Sequence, residues 1–305
     1  MRQTGIISLL LLLSACDAPD VVIGARGAQT ESPAVGSGLA AGNTAAHVLD
    51  AAVSETTGST GKVAVSGSDA GSHALEPRSP GCGKPASDVE LADAALSYLI
   101  DLPNGYDARI PYPLLLGLRA AEGSAADFRA SLDMASAVGT AAIIVYPECP
   151  RGRTTWDVPG DVDYLVALRS QLLERYCVDR TRVFVLGHAQ GGWLASAAAC
   201  SRSDLLRGAA LFAGTEAMQP CRGSLAIFVA QGTRDPVFSL RAGRHTRDFW
   251  ANVNGCDTAL ARAAEPASCE DYACMAAPTR YCEYEGGHEL PSFAASSAWS
   301  FFRAL

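Results

Sequence analysis

The chain has 305 residues, of which 49% are hydrophobic, and carries a formal net charge of -8 at neutral pH. This length and composition allow one large buried core with an appendage. The acidic balance argues against a nucleic-acid partner, which would require a basic face to neutralise phosphates.

A secretory signal and a lipid-modified cysteine are predicted at residues 1–16. Arg2 precedes an apolar run from Ile6 to Leu13, which is shorter than the about 20 residues that a membrane-spanning helix requires. The sequence LSAC, ending at Cys16, resembles a bacterial lipobox, in which the cysteine becomes the lipidated first residue of the mature protein. Cleavage by the ordinary signal peptidase, with Cys16 incidental, is the alternative. We therefore expect an exported lipoprotein, held to a membrane in the periplasm or at the cell surface.

Residues 17–80 are predicted to form a disordered tether. Alanine, glycine, serine and threonine dominate this stretch, and it has no sustained apolar period. Such a composition buries too little surface to offset the entropy of ordering the chain. The folded domain is expected over residues 81–305.

Strands and helices alternate along the predicted domain. Short apolar or β-branched runs predict strands, and apolar residues at helical spacing predict helices. The continuous run AAIIVY at residues 141–146 is typical of a parallel strand that is covered on both faces. The predicted strands are Tyr98–Leu102, Leu114–Leu118, Ala141–Tyr146, Arg182–Leu186, Gly208–Phe212, Leu225–Ala230 and Arg280–Tyr284, and the predicted helices are Asp161–Tyr176, Gly192–Ala199, Leu240–Val253 and Ser292–Phe302. The pattern predicts an α/β fold with a mostly parallel sheet, helices on both faces and functional loops at the carboxyl ends of the strands.

The stretch around Ala189 has the pattern of a nucleophile elbow without its nucleophile. Gly187 and Gly191 bracket the segment His188, Ala189 and Gln190 between a predicted strand and a predicted helix, where a G-x-S-x-G motif places a reactive serine. The methyl group of Ala189 has neither a lone pair nor a proton to give, so acyl-enzyme chemistry at this position is excluded.

Ten cysteines are present, and setting Cys16 aside leaves nine. Scattered cysteines in an exported chain indicate disulfides, whereas the paired C-x-x-C spacing of a zinc site is absent. The sequence therefore predicts disulfides with at least one free thiol, no metal and no cofactor.

The order of several motifs resembles the polyhydroxybutyrate depolymerase and feruloyl esterase group of α/β-hydrolases. The resemblance covers the chain from about Cys82 to its carboxyl end. Its pieces are Gly81-Cys82-Gly83, Asn104-Gly105-Tyr106-Asp107, Pro111-Tyr112-Pro113-Leu114, Tyr176-Cys177-Val178-Asp179, Arg182-Val183-Phe184, the elbow with Gly192, Ala199-Cys200, Gly232-Thr233-Arg234-Asp235, Asn254-Gly255-Cys256 and Gly286-Gly287-His288.

The resemblance implies a serine, aspartate and histidine triad in that order along the chain. Ala189 stands at the nucleophile position, Asp235 follows a predicted strand where the acid belongs, and His288 lies in a Gly-Gly-His loop where the base belongs. The alternative is that Asp235 caps a turn and His288 is an ordinary loop histidine.

The same resemblance implies an oxyanion hole built from the loop at Arg119 and Ala120 and from Gln190. Relatives carry a His-Gly pair at that loop, so we expect Ala120 to restrict the backbone and Arg119 with Glu122 to put long charged side chains over the site. His188 is expected to be a packed or supporting histidine, and Ser196 is expected to face away from the site. Trp156 and Asp157 could line the mouth of the pocket. The alternative for Trp156 is a ring packed in the interior.

In this resemblance, some relatives carry a cysteine in the oxyanion loop, near the position of Ala121. Cys149 lies after the next predicted strand, at the same end of the sheet. We therefore expect Cys149 to have lost its partner and to be the unpaired thiol. Cys269–Cys274 and Cys177–Cys200 are the pairings that we favour.

These observations favour a protein that has lost serine-esterase activity and binds an ester, polymer, glycan or protein ligand in the remaining pocket. Two alternatives stay open. One is an active carboxylic-ester hydrolase, in which Ala189 is not the natural residue or another mechanism operates. The other is a structural envelope lipoprotein.

Overall fold

A computed structural model describes residues 77–85, 96–150, 152–215 and 220–305. The predicted signal, the lipidation at Cys16 and the tether up to residue 76 lie outside these residues. Within them, no helix is long and apolar enough to span a bilayer. The strands are β1 Tyr98–Asp101, β2 Tyr112–Leu118, β3 Ile143–Pro147, β4 Val178–His188, β5 Gly208–Phe212, β6 Ala226–Gly232, β7 Cys256–Ala264, β8 Cys269–Cys274 and β9 Thr279–Tyr284. The helices are α1 Ala125–Leu132, α2 Met134–Val138, α3 Val162–Arg175, α4 Gln190–Ser201, α5 Leu240–Val253 and α6 Ala294–Arg303.

These strands form one sheet in the order β1-β3-β2-β4-β5-β6-β9-β8-β7. Six neighbouring strands of this sheet pair in parallel, namely β3, β2, β4, β5, β6 and β9. Antiparallel strands extend both sides of this parallel centre, with β1 beside β3 and the β7–β8 hairpin beside β9. Because β2, β4, β6 and β9 run in one direction, the residues that follow them gather at one edge of the sheet.

Helices cover both faces of the sheet, as predicted. Successive residues of a strand point to opposite faces, so Leu116 packs in the core beneath α3, α4 and α5, together with Trp250. Leu115 packs in the opposite core beneath α1, α2 and α6, where the rings of Phe184 and Phe302 stack with centroids 4.5 Å apart. The predicted α/β class and every predicted strand and helix are therefore present, with β5 and α5 at the predicted bounds.

The sequence reading missed four elements and placed the start of the domain too late. The helices α1 and α2 and the strands β7 and β8 were not predicted. Residues 77–80, predicted to be tether, are attached to the domain, because Arg78 pairs with Asp179 of β4 and the buried Ser79 hydroxyl donates to the carbonyl of Tyr176 at 2.6 Å. The helices α1 and α2 have only eight and five residues, and β7 is exposed along most of its length, so none of them shows the sustained apolar period on which the prediction depended.

Four disulfides stabilise the described part of the chain. The pairs are Cys82–Cys177, Cys200–Cys221, Cys256–Cys274 and Cys269–Cys282. Both favoured pairings, Cys177–Cys200 and Cys269–Cys274, were wrong. Strand pairing explains one error, since the hairpin register sets Cys274 opposite Cys256 and Cys282 opposite Cys269. Cys149 is buried and free, which confirms the prediction for the unpaired thiol.

Candidate active site

A sharp turn joins β4 to α4 at Ala189. Its φ of 51° and ψ of -116° lie in a region that L-residues rarely adopt. The two flanking glycines make this turn possible. A Cβ on Gly187 would lie 2.3 Å from the carbonyl of Gly191, and one on Gly191 would lie 2.3 Å from the carbonyl oxygens of Leu118 and Arg119. The chain thus has the backbone of a nucleophile elbow with a methyl group where the elbow presents its side chain.

An acid–base pair lies at the same edge of the sheet. Asp235 follows β6 and His288 follows β9, and the His288 Nδ1 lies 2.9 Å from the Asp235 Oδ2. The other carboxylate oxygen of Asp235 accepts hydrogen bonds from the backbone N–H groups of Val237 and Phe238, both at 2.8 Å. An ionised carboxylate only accepts, so Nδ1 of His288 donates and its Nε2 keeps the lone pair of a general base.

Two further contacts fix this pair. The Nε2 of Gln231, in β6, donates to Asp235 Oδ2 at 3.1 Å and to the carbonyl of Phe238 at 2.7 Å. The ring of Phe238 stacks on His288 with centroids 5.5 Å apart. Gln231 and Phe238 therefore position the acid and the base, and the sequence pattern alone did not assign this role to either of them.

His188 supports the loop that carries His288. Its Nε2 lies 2.6 Å from the carbonyl oxygen of His288, and the two rings are 5.0 Å apart. A carbonyl oxygen accepts, so Nε2 of His188 is the donor. Burial lowers the pKa of His188 and thus favours the neutral ring. These contacts agree with the supporting role expected for it.

Arg119 does not extend over the site, contrary to the prediction. Its guanidinium is buried and donates to Glu148 at 3.1 Å, to the carbonyls of Ala120 and Ala121 at 2.9 and 3.0 Å, and to the carbonyl of Thr154 at 3.0 Å. The reason is that two carbonyls of the loop itself, together with Glu148 and the carbonyl of Thr154, satisfy the planar fork of donors. The expected backbone conflict at Ala120 is also absent, because its φ is not in the left-handed region.

The side chain of Gln190 and the indole of Trp156 make hydrogen bonds that fix the loop that follows β3. Gln190 accepts from the backbone N–H of Trp156 at 3.0 Å and donates to its carbonyl at 3.1 Å. The Trp156 indole is packed in the interior and donates to the carbonyl of Arg119 at 2.9 Å. Of the alternatives for Trp156, the packed one is confirmed, while the side chain of Asp157 is exposed.

The backbone N–H of Gln190 lies at the amino end of α4, next to the nucleophile position. Gln190 is the first residue of α4, where backbone N–H groups have no acceptor within the helix. Such a group beside the nucleophile position can donate to an oxyanion. Ser196, in contrast, accepts a hydrogen bond from the buried Trp250 indole and faces away from the site, as predicted.

Ionised Asp235 is expected to stabilise the folded protein. Burial opposes its charge, but the hydrogen bonds from His288, Phe238 and Val237 outweigh burial and lower its pKa. A folded-state pKa below that of the unfolded chain, about 3.9, gives stability that is complete above about pH 5 and is lost as the pH falls through the folded-state value. Asp235→Asn should therefore cost about 1–3 kcal/mol at neutral pH, and the difference from the parent should shrink in acid.

Urea unfolding followed across this pH range measures the effect. Asp157→Asn is the matched control, because its exposed carboxylate has only a 3.9 Å ion pair with Arg153 and should change stability by less than about 0.5 kcal/mol. A cost for Asp235→Asn that stays constant down to acid pH would contradict the assignment.

A mostly parallel sheet, a strand-turn-helix elbow and an acid–base pair on the following loops define the α/β-hydrolase fold. Solved esterases share it. The acetyl xylan esterase from Aspergillus awamori aligns with a TM-score of 0.57 at 15% identity, over 69% of this chain and 94% of that enzyme. The Bacillus cereus carboxylesterase aligns with a TM-score of 0.52 at 18% identity, over 70% of this chain and 95% of that enzyme.

Sequence relatives narrow the class. The probable feruloyl esterase C of Aspergillus niger is 27% identical over 249 residues, covering 74% of this chain and 91% of the relative. Feruloyl esterase C of Emericella nidulans is 26% identical over 249 residues, with the same coverage. No protein-family model matches the chain. The similarities support an α/β-hydrolase of the esterase family, and the disulfides are consistent with an exported protein.

Proposed function

We propose that this chain is an exported esterase-family protein that performs no serine-esterase turnover and binds an ester ligand in the remaining site. The observation that carries the proposal is Ala189 at the turn of the elbow, beside an intact His288–Asp235 pair. A base without a nucleophilic hydroxyl cannot form an acyl-enzyme. In one serine protease the loss of the serine alone lowers kcat by about 10⁶-fold.

Apolar side chains beside His288 support an ester ligand. Phe238 stacks on the imidazole, and Val237 next to it is 63% exposed. In a serine esterase the histidine protonates the leaving alcohol, so this apolar surface lies where the alcohol part of an ester would bind. Feruloyl or other aryl esters are the class that the curated relatives' names suggest.

The proposal includes the anchor. A lipidated Cys16 followed by residues 17–76 would hold the domain at a membrane surface, and several acyl chains on one cysteine would make that attachment firm. The four disulfides support an oxidising compartment.

The test uses the unmodified chain and His288→Ala. Both are incubated with p-nitrophenyl acetate and methyl ferulate, and with a fluorophosphonate that labels activated serines. We expect no turnover above the buffer rate and no labelling for either protein, while methyl ferulate binds the unmodified chain in a calorimetric titration. Turnover that disappears in His288→Ala would instead favour an active ester hydrolase. Absence of ester binding would favour a structural protein.

A further inference from the structure

Three arginine side chains gather at the edge of the sheet opposite the elbow, where β4 and β5 begin. Arg169 of α3 and Arg202, directly after α4, line one cleft between these two helices. Burial, followed by the positive charge of Arg180 near the start of β4, lowers the pKa of Arg169, and the charge of Arg202 acts in the same direction. Since an arginine side chain stays charged in proteins, these three residues form a positively charged arginine cluster.

An irregularity of β4 lies at Arg180. Tyr112 of β2 pairs with Val178 and Leu114 pairs with Val183, so two steps along β2 correspond to five steps along β4. The excess residues form a bulge, which re-aims side chains that a regular strand would direct by strict alternation. The bulge thus lets the Arg180 side chain approach the arginine of α3.

The guanidinium groups of Arg169 and Arg180 lack partners within the described part of the chain. The Nε of each is enclosed and has no hydrogen-bond acceptor there, and neither group forms an ion pair with a described carboxylate. Each guanidinium has four further N–H donors on its two Nη atoms, which reach the surface, since only Nε is enclosed. Arg202 differs, because Asp204 accepts from its Nε and Nη2 at 3.1 and 3.2 Å. Two half-buried positive charges are therefore left without a counter-ion, which indicates an anionic ligand.

The carboxylates around the cluster do not balance it. The hydrogen bond from Arg202, and more weakly the charge of Arg222, lower the pKa of Asp204, so this one carboxylate faces two arginines. The charge of Asp163 acts on Arg202, and Asp179 accepts from the backbone and the hydroxyl of the neighbouring threonine at 3.0 and 2.7 Å. The formal net charge of -8 belongs to the whole chain, and at physiological ionic strength charges more than about 8 Å away are largely screened. The surface at the cluster is therefore locally positive on an acidic protein.

The chain enters the domain beside this cluster. The backbone N–H of Arg180 donates to the carbonyl of Pro77 at 2.7 Å, and residue 77 is the first that the structure describes. Under the proposed function, residues 17–76 connect this point to a lipidated Cys16. The attachment point to a membrane therefore lies next to the unpaired arginines, whereas the elbow lies at the opposite edge of the sheet.

We propose that the arginine cluster binds the phosphate groups of anionic membrane lipids. A guanidinium donates two parallel hydrogen bonds to phosphate oxygens and is less strongly hydrated than an ammonium group. The lipid phosphates would supply the counter-ions that Arg169 and Arg180 lack, and the elbow would face away from the bilayer. This orientation rests on the proposed anchor at Cys16, whereas the affinity for anionic lipid does not.

The experiment uses the full chain with Cys16→Ser, which cannot be acylated, so that lipid binding is measured apart from the anchor. Its sedimentation with phosphatidylcholine vesicles is compared with that on vesicles that also contain phosphatidylglycerol. Insertion of the apolar run at residues 6–13 would raise binding to both vesicle types alike, so the difference between them is the readout. We expect tighter binding to the phosphatidylglycerol vesicles, weakened by added sodium chloride. Arg169→Gln and Arg180→Gln should each weaken this binding by about fivefold, the effect of one arginine near an anionic surface.

Arg262→Gln is the matched control, because it removes the same charge elsewhere. Arg262 is exposed on β7, five strands from β4 in the sheet and so about 24 Å away at the usual strand spacing, and its loss should leave vesicle binding unchanged. The double variant Arg169→Lys with Arg180→Lys keeps both charges and should weaken binding less than the two glutamine changes together. It separates the loss of charge from any loss of folding.

Three outcomes would overturn the proposal. The first is equal binding to both vesicle types or no binding to either, and the second is an effect of Arg262→Gln as large as that of Arg180→Gln. The third is release of the protein by sodium phosphate beyond that by sodium chloride at equal ionic strength, which would assign the cluster to a small anion, whereas we expect equal release. None of these outcomes bears on ester binding or turnover at the elbow, and His288→Ala should bind vesicles as the parent does.

Discussion

Ala189→Ser is expected to give the chain ester hydrolysis up to about 10⁶-fold above its own background, or about 8 kcal/mol of transition-state stabilisation. The elbow already holds residue 189 at φ 51°, a conformation that the flanking glycines permit and that Ala189 itself adopts. His288 is oriented by Asp235 at 2.9 Å with Nε2 available as the base. A serine hydroxyl is therefore the missing reacting atom.

Rates on p-nitrophenyl acetate and methyl ferulate, with fluorophosphonate labelling at residue 189, measure the gain. Ala189→Ser combined with His288→Ala is the control, and it should lose nearly all of the gain, because the serine then has no base. Ala189→Thr is a second control, since its β-branched side chain fits the turn poorly. A folded Ala189→Ser protein that stays at background would contradict the view that only the nucleophile is absent.

If ester hydrolysis required Arg119→His and Ala120→Gly in addition to Ala189→Ser, the oxyanion loop would be a second cause of the lost activity, besides the missing nucleophile. The structure argues otherwise. Ala120 has no left-handed φ, and the carbonyl of Arg119 is held by the Trp156 indole at 2.9 Å. Rescue by serine alone would show that the loss of turnover lies at residue 189 and not in the oxyanion loop.

The fold was predictable from sequence wherever burial imposes a period. The strands β3 and β5 are fully buried and read as continuous apolar runs, and α3 buries Leu165, Leu168 and Leu172 on one side. The hairpin strand β7 is exposed along most of its length, so its residues carry no alternation that reveals a strand. Helix α1 shows its start only through the reciprocal capping of Ser124 and Asp127.

The site was predictable in position but not in contacts. The spacing of the glycines follows from the steric demands of the sharp turn, and the order of Asp235 and His288 follows from the order of the strands in the sheet. Both rules hold for any sequence with this fold, so they can be applied to a sequence alone. The direction of the Arg119 side chain does not, because it depends on acceptors at Glu148 and Thr154, 29 and 35 residues further along the chain. A motif resemblance assigns Arg119 to the oxyanion loop but carries no information on where its donors point.

Arg119→Ala is expected to destabilise the fold by about 2–3 kcal/mol, less than the about 3–5 kcal/mol for a fully buried ion pair, because the Glu148 side chain is 34% exposed. The Arg119 side chain is 5% exposed, and its loss leaves Glu148 and the carbonyls of Ala120 and Thr154 without this donor. The same change should remove the activity gained by Ala189→Ser, because the loop at Ala120 loses its support. Denaturant unfolding and the ester assay on the double variant measure the two effects.

Arg109→Ala is the matched control. Arg109 is also paired with a carboxylate, that of Asp107, to which it makes two side-chain hydrogen bonds, but its side chain is 83% exposed, so solvent screens the pair and its loss should cost much less than that of Arg119. Arg119→Lys keeps the charge without the planar fork and should fall between the two. If Arg119→Ala cost no more than Arg109→Ala, the buried Arg119 side chain would not support the oxyanion loop.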